Sequence, residues 1–352
     1  MKIAEKYMRR ALQIARRGVG NTSPNPMVGA VVVSGDKIIG EGYHRRFGEG
    51  HAEVNAIASV RDKSLLKDST IYVTLEPCSH YGKTPPCSEL ILRMGIPRVV
   101  VGSLDPFEKV SGRGVQMLRD GGVEVEVGVL EEECEALNRA FIHAHTAKRP
   151  YILLKWAQTA DGYIGVKGEQ IHISTEATLT AMHKLRSRYD AILIGANTLR
   201  SDNPTLTVRK YPGRNPIRVV LTHDATTLPH ESNLFTDGEA KTIVYVMGST
   251  MTVDDTGTVE FVEVNSIEQM LSDLYSRNIP SLMVEGGADV LSQFIRLGLW
   301  DECRIETSMK PLEQIADCIT AEPIHAPTLS HAQLIGIERM GCNSIATYHP
   351  VR

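Results

Sequence analysis

His51-Ala52-Glu53 and, farther along, Pro77-Cys78 and Cys87 are residue types that bind a transition metal and move protons beside it. One histidine and two thiolates supply three zinc ligands and leave a fourth tetrahedral position for water, as in catalytic rather than structural sites. Zinc lowers the pKa of such a water, and Glu53, close to the metal but not a ligand, is placed to carry its proton. The spacing is unusual. In zinc base deaminases H-x-E is followed by P-C-x-x-C, whereas here eight residues, SHYGKTPP, separate Cys78 from Cys87. An isolated H-x-E is common on surfaces, and two cysteines alone are more often core residues. The ordered set H-A-E, then a strand ending in L-E-P-C, then P-P-C opening a helix is far more specific. It points to His51, Cys78 and Cys87 as metal ligands.

Such side chains need elements to hold them. VGAVVV (28–33), KIIGEGY (37–43), TIYVTL (70–75), RVVVGS (98–103) and VEVEVGVL (123–130) predict strands. Helices are predicted at the N-terminus, over 52–60, from Cys87 to Met94 behind Pro85-Pro86, over 114–122, and from Glu131 to about His145. This alternation predicts an α/β domain. HAHTAKRP (143–150) loses the helical pattern, and the expected domains are 1–146 and 147–352. The second half restarts at YILLKWA (151–157), a buried-strand pattern. It predicts a helix over 175–187, strands at 190–196, 217–222, 242–247, 259–264 and 281–286, and a helix over 288–297. That is a second α/β domain. It contains no G-x-G-x-x-G, but VEGGADVL (284–291) brings Gly286 and Gly287 to a helix start, where backbone N–H groups can approach a phosphate.

At 352 residues the chain exceeds what one core usually supports. Its net charge of −4 argues against gripping nucleic-acid backbones. That weighs against one alternative, a zinc deaminase whose second half is a nucleic-acid or nucleotide recognition module. A silent pyrimidine-nucleotide binder is a further alternative, but a binder has no need of an open zinc position beside a carboxylate. No apolar run reaches the ~18 residues of a membrane span. The N-terminal MKIAEKYMRRALQIARR has apolar residues at helical spacing and is expected to pack on its own domain rather than serve as a targeting peptide. Six cysteines without a secretory pattern suggest a reducing, cytoplasmic setting.

SPNPMVGAVVV (23–33), GEGHAEVNAI (48–57) and TLEPCSHYGKTPPC (74–87) together resemble the deaminase half of the bifunctional riboflavin-biosynthesis deaminase–reductases, in which the long cysteine spacing is normal. KWAQTADGYIG (155–165), LRSRYDAILIGANTLRSDNPTLTVR (185–209) and VEGGADVL resemble the reductase half. The resemblance implies a cytidine-deaminase-like α/β/α domain followed by a dihydrofolate-reductase-like α/β domain, one zinc per chain, NADPH, a phosphorylated pyrimidine substrate and a homo-oligomer. It implies Glu53 as proton shuttle and substrate contacts from Asn25, His44, His80 and Lys83. In the second half it implies substrate contacts from Arg186, Leu206, Arg209 and Glu285, and cofactor contacts from Ala157, Thr198, Asp202 and the turn at Gly287. Two arginines flanking one S-D-N-P loop suit a sugar phosphate. The chain departs from the family at GEQIHIST (168–175), where Gln170 stands for a serine near the substrate and His172 for a tryptophan near the cofactor. Both still offer polar contacts. Beyond about residue 305 the resemblance thins, and the usual strand and Pro- and Gly-containing loop after LWDE (299–302) are missing or rewritten as SMKPLEQIADCITAEPIHAP.

Overall fold

Strand β1 (Gly29–Ser34) is buried on both faces, as its valine run requires. Around it the chain builds the first of two compact units, Met1–Lys148 and Arg149–Arg352. The computed structural model describes residues 3–81, 85–106, 111–248, 258–316, 319 and 321–351.

In the first unit, helix α1 (Ile3–Ala15) precedes β1, which turns back antiparallel into β2 (Lys37–Tyr43). Helix α2 (Ala52–Ser59), β3 (Ser69–Leu75), α3 (Cys87–Arg93), β4 (Arg98–Ser103), α4 (Arg113–Asp120) and β5 (Glu124–Val127) follow. The strand order is β2-β1-β3-β4-β5, with β3, β4 and β5 parallel. One face packs Ala52, Ala56, Ile57, Ile91 and Leu118 from α2, α3 and α4. The other packs Met8, Leu12 and Ile14 of α1 and, behind it, Cys134. The expected single helix from Glu131 is two: α5 (Glu131–Leu137) and α6 (Arg139–Ala147). Asn138 leaves helical geometry (φ −111°, ψ 22°) between them, its carboxamide bonded to a distant loop.

The second unit begins with β6 (Tyr151–Gln158) and β7 (Tyr163–Val166), then α7 (Glu176–Arg186), capped by the Thr175 side chain, β8 (Ala191–Gly195) and α8 (Ala196–Asp202). It continues through β9 (Ile217–Thr222), α9 (Asn233–Thr236), β10 (Thr242–Met247), β11 (Val259–Val264), α10 (Ile267–Ser276), β12 (Ser281–Val284) and α11 (Ala288–Leu297). It closes with β13 (Glu302–Thr307), β14 (Pro323–His325), β15 (Ala332–Met340) and β16 (Asn343–Pro350). The main sheet runs β11-β10-β9-β8-β12-β6-β13-β16-β15, parallel as far as β13 and antiparallel through β16 and β15. Cores on its two faces centre on Phe294, Trp156 and Leu274, and on Leu199, Leu234 and Met283.

A strand does follow LWDE, as β13, where the sequence suggested that the strand and its loop are missing or rewritten. Its charges disguised it: Glu302, Arg304 and Glu306 alternate along a strand that is nonetheless internal. The two glutamates are buried because they are paired, Glu302 with the Tyr151 hydroxyl and Arg304, Glu306 with Ser174 and Asn343.

Candidate functional site

In the first unit, His51 is the N-cap of α2, Cys78 follows the end of β3, and Cys87 is the first residue of α3. Their donor atoms lie within 4.8 Å of one another. The His51 Nδ1 is 3.5 Å from the Cys78 sulfur and 3.4 Å from that of Cys87. Zinc bonds of about 2.3 Å to sulfur and about 2.0 Å to nitrogen, at a tetrahedral angle, place those atoms about 3.5 Å apart. The donor set fits zinc in type and in spacing. The Cys87 thiol, then His51 and the Cys87 backbone N–H, lower the pKa of Cys78 and favour its thiolate. The same contact and burial push Cys87 upward. His51 is held up to about 9 by its contact with the Cys78 sulfur.

Glu53, in the first turn of α2, is 3 % exposed and packs against this cluster. Burial raises its carboxyl to about 7, partly offset by His51, so both protonation states are accessible near neutrality. Asn25 and His44 converge on the same place. The Asn25 amide nitrogen is 3.4 Å from His44 Nε2, and His44 Nδ1 is 3.2 Å from the Gly50 carbonyl. Those partners set the tautomer: Nδ1–H donates to Gly50 and Nε2 accepts from Asn25. Burial, which lowers the His44 pKa, favours that neutral ring. The ring stands edge-on to His51 with centroids 5.6 Å apart. His80 is exposed beyond Cys78, and Lys83 lies outside the described residues. Glu76 was not singled out by the sequence reading. Its buried carboxylate accepts from the backbone N–H groups of Asp105, Gly112, Gly114 and Val115, tying the end of β3 to the start of α4.

In the second unit the groups gather at the carboxyl ends of parallel strands, where open α/β sheets place ligands. Glu285 follows β12. It accepts from Arg186 Nη2 at 2.8 Å, while Arg186 Nη1 donates to the Thr207 carbonyl at 2.8 Å. Both side chains are nearly enclosed, yet Arg186 Nε and Glu285 Oε1 have no hydrogen-bond partner among the described residues. Burial pushes the Glu285 carboxyl up, and Arg186 and Lys155 pull it below its ordinary value. Arg209 is exposed on the same loop and donates to the Thr207 hydroxyl at 3.2 Å. Leu206 holds φ at 53°, a left-handed conformation that costs a non-glycine residue energy. Its side chain belongs to the core, so the loop's backbone is what it can offer a ligand.

Gly286 and Gly287 turn the chain into α11. A Cβ on Gly286 would sit 2.6 Å from the Ile194 backbone, and Gly287 has φ 49° with Thr198 Oγ1 beside it. The cradle therefore needs glycine, and it faces the first turn of α8. Asp202 is at the exposed end of α8, one turn beyond Thr198. Ala157 pairs in register with Glu306 on β13, half-buried at the same sheet end. Gln170 and His172 are both exposed on the segment before α7.

Residues 1–103 match the family model for the cytidine and deoxycytidylate deaminase zinc-binding region, and residues 150–308 match the RibD C-terminal domain. The riboflavin biosynthesis protein RibD of Bacillus amyloliquefaciens is 42% identical over 308 residues, covering 85% of this chain and 82% of its own. That of Aquifex aeolicus is 42% identical over 306 residues, with 85% of each chain covered. The chain belongs to the RibD family. A crystal structure of a diaminohydroxyphosphoribosylaminopyrimidine deaminase/5-amino-6-(5-phosphoribosylamino)uracil reductase from Thermotoga maritima has 37% identity and a TM-score of 0.88, covering 99% of both chains. The likeness thus runs through the C-terminal strands, past the point where sequence resemblance thins.

As a RibD protein the chain is a bifunctional riboflavin-biosynthesis enzyme, a zinc-dependent deaminase joined to an NADPH-dependent reductase of dihydrofolate-reductase-like fold. Among the described residues no helix is long and apolar enough to cross a membrane. The structure also draws in residues the sequence reading passed over. Lys155 interrupts the apolar strand YILLKWA, and that single charge was its signal. It lies 3.9 Å from Glu306 and acts on Glu285. Glu306 accepts from Ser174 at 2.8 Å and from Asn343 at 2.7 Å, and Asn343 also donates to the Ile173 carbonyl. No local motif marks Asn343; only the pairing of β16 with β13 brings it there.

Proposed function

We propose that residues 1–146 deaminate 2,5-diamino-6-ribosylamino-4(3H)-pyrimidinone 5′-phosphate and that residues 147–352 reduce the deaminated product's ribosyl chain to ribityl. The observation that carries the first half is a His–Cys–Cys cluster at zinc spacing with a buried carboxyl against it. His51, Cys78 and Cys87 hold the metal, which when bound supplies Lewis acidity toward water in its open position. Hydrolysis breaks the exocyclic C–N bond, forms a C–O bond and releases ammonia. Glu53 takes a proton from the attacking water and returns it to the departing nitrogen. Asn25 and the neutral His44 orient the pyrimidine, and His80 and Lys83 are assigned to the same substrate.

In the second half NADPH supplies hydride when bound. The Gly287 turn, with Thr198, Asp202, Ala157 and His172, is assigned to the cofactor. Arg186, Arg209 and Gln170 hold the phosphorylated side chain together with the Leu206 backbone, and Glu285 turns its unpartnered oxygen to the sugar hydroxyls. The enclosure of Arg186 and Glu285 strengthens the charge interaction between them. A homo-oligomer in the cytoplasm completes the reading, supported by family membership and by cysteine usage.

The test is a coupled assay on the diaminopyrimidine phosphate that follows ammonia and NADPH together. Glu53→Gln is expected to keep zinc and to keep reducing the deaminated substrate. Its ammonia release should fall by about 10²–10⁴-fold, the usual contribution of a positioned proton carrier. Ammonia release within a few-fold of wild type would remove Glu53 from this role.

A further inference from the structure

Asn138 stands at the junction of α5 and α6, where an asparagine normally spends its side chain on the helix. As an N-cap it would accept from a backbone N–H in the first turn, a contact worth about 1 kcal/mol. Here the side chain caps neither helix. It is 3 % exposed and reaches back to the loop ahead of β1. Its Oδ1 accepts from the Met27 N–H at 2.8 Å, and its Nδ2 donates to the Met27 carbonyl at 2.9 Å. One carboxamide therefore satisfies both backbone groups of a residue that precedes the first strand. An aspartate could only accept and a leucine could do neither.

Met27 is two residues from Asn25. Other fastenings of this loop include the Asn25 N–H to the Thr22 carbonyl at 2.9 Å, the Phe47 N–H to the Asn21 carbonyl at 3.0 Å and the His44 N–H to the Val28 carbonyl at 2.9 Å. They fix its two flanks. The clamp from Asn138 fixes the stretch between, and with it the direction in which Asn25 presents its amide beside His44. The same clamp explains why the acidic helix is broken at 138 rather than continuous.

We propose that Asn138 is a positioning residue for deamination: it locks the Met27 backbone so that Asn25 is held in the orientation that receives the pyrimidine. This rests on the reading of Asn25 as a ring-binding residue, and the experiment separates the two. In the full-length chain, Asn138→Ala, Asn138→Asp, Asn25→Ala and the double variant Asn25→Ala/Asn138→Ala are assayed for deamination, zinc content and reduction of the deaminated substrate. Hydrogen exchange of peptides covering 22–28 is measured alongside.

Asn138→Ala gives up two neutral hydrogen bonds. It is expected to raise the deamination KM about tenfold or more, with a smaller change in kcat, faster exchange at Met27, unchanged zinc and unchanged reduction. Asn138→Asp, which keeps the acceptor, falls between it and wild type. In the Asn25→Ala background Asn138→Ala adds nothing to KM. If Asn25→Ala raises KM and Asn138→Ala or Asn138→Asp does not, the positioning role is overturned while the Asn25 reading stands. If Asn25→Ala has no effect, that reading fails and the proposal fails with it. Loss of zinc, or of folded protein, in both Asn138 variants would make Asn138 a structural residue and also overturn it.

Discussion

Removing the charge of Arg186 tests how the second site is held together. Its side chain is 6 % exposed and that of Glu285 12 %, and their charged groups meet at 2.8 Å. Arg186→Met keeps much of the buried stem but leaves the carboxylate without its counter-charge, with one oxygen already lacking a partner among the described residues. Breaking one side of a buried pair costs about 3–5 kcal/mol. Lys155 still acts on Glu285, so the lower end applies. For a unit of this size each kcal/mol shifts Tm by roughly 2–4 °C, so a fall of about 6–12 °C follows for the Arg149–Arg352 unit. Calorimetry on the full chain measures it, with hydrogen exchange in peptides around 185–209 and 281–287 assigning the transition. Deamination is the internal control and should not change. The pH dependence changes sign. In the wild-type chain the depressed Glu285 pKa contributes stability above its unfolded pKa, and this is lost as pH falls through the folded value. With Arg186 gone, burial raises that pKa, and acid relieves rather than adds to the destabilisation. Arg186→Met/Glu285→Gln should recover much of the lost Tm while still failing to reduce substrate. A Tm within about 2 °C of wild type for the single variant, or purely additive losses in the double, would refute the reasoning.

Three further outcomes follow from the same geometry. Cys87→Ser should lose the zinc measured by metal analysis and lose deamination, while NADPH oxidation with the deaminated pyrimidine continues. His183 is buried beside Arg186 and Arg209, and burial first, then those charges, lowers its pKa to about 4. Because the unfolded chain binds that proton nearer 6.5, wild-type stability should decline as pH falls from about 6.5 toward 4. His183→Gln should flatten the Tm profile over that window; an unchanged slope would put the titration elsewhere. Glu76→Gln replaces two accepting oxygens by one and sets an amide against backbone N–H groups. It should cost about 1–3 kcal/mol in the first unit, seen in its melting and in easier removal of zinc by chelators.

The His–Cys–Cys cluster, the carboxyl expected beside it and the glycine turn could be picked out in the sequence because each sits in a local strand-end or helix-start pattern. A strand end, a turn and a helix start place Cys78, Cys87 and His51 wherever the parallel sheet forms, and Gly286-Gly287 announces its turn by composition alone. Two α/β halves follow from the same alternation. What tertiary structure decided is which distant groups share a buried charge or a hydrogen bond. Arg186 and Glu285 meet across 99 positions, and Asn138 and Met27 across 111. Glu306 is buried only because Ser174, Lys155 and Asn343 converge on it. Strand register and helix placement set those meetings, and neither is encoded in the few residues around any one partner. The strand after LWDE shows the same limit: its alternating charges look exposed until the pairing of β13 with β6 and β16 brings Tyr151 to Glu302, and Lys155 and Asn343 to Glu306.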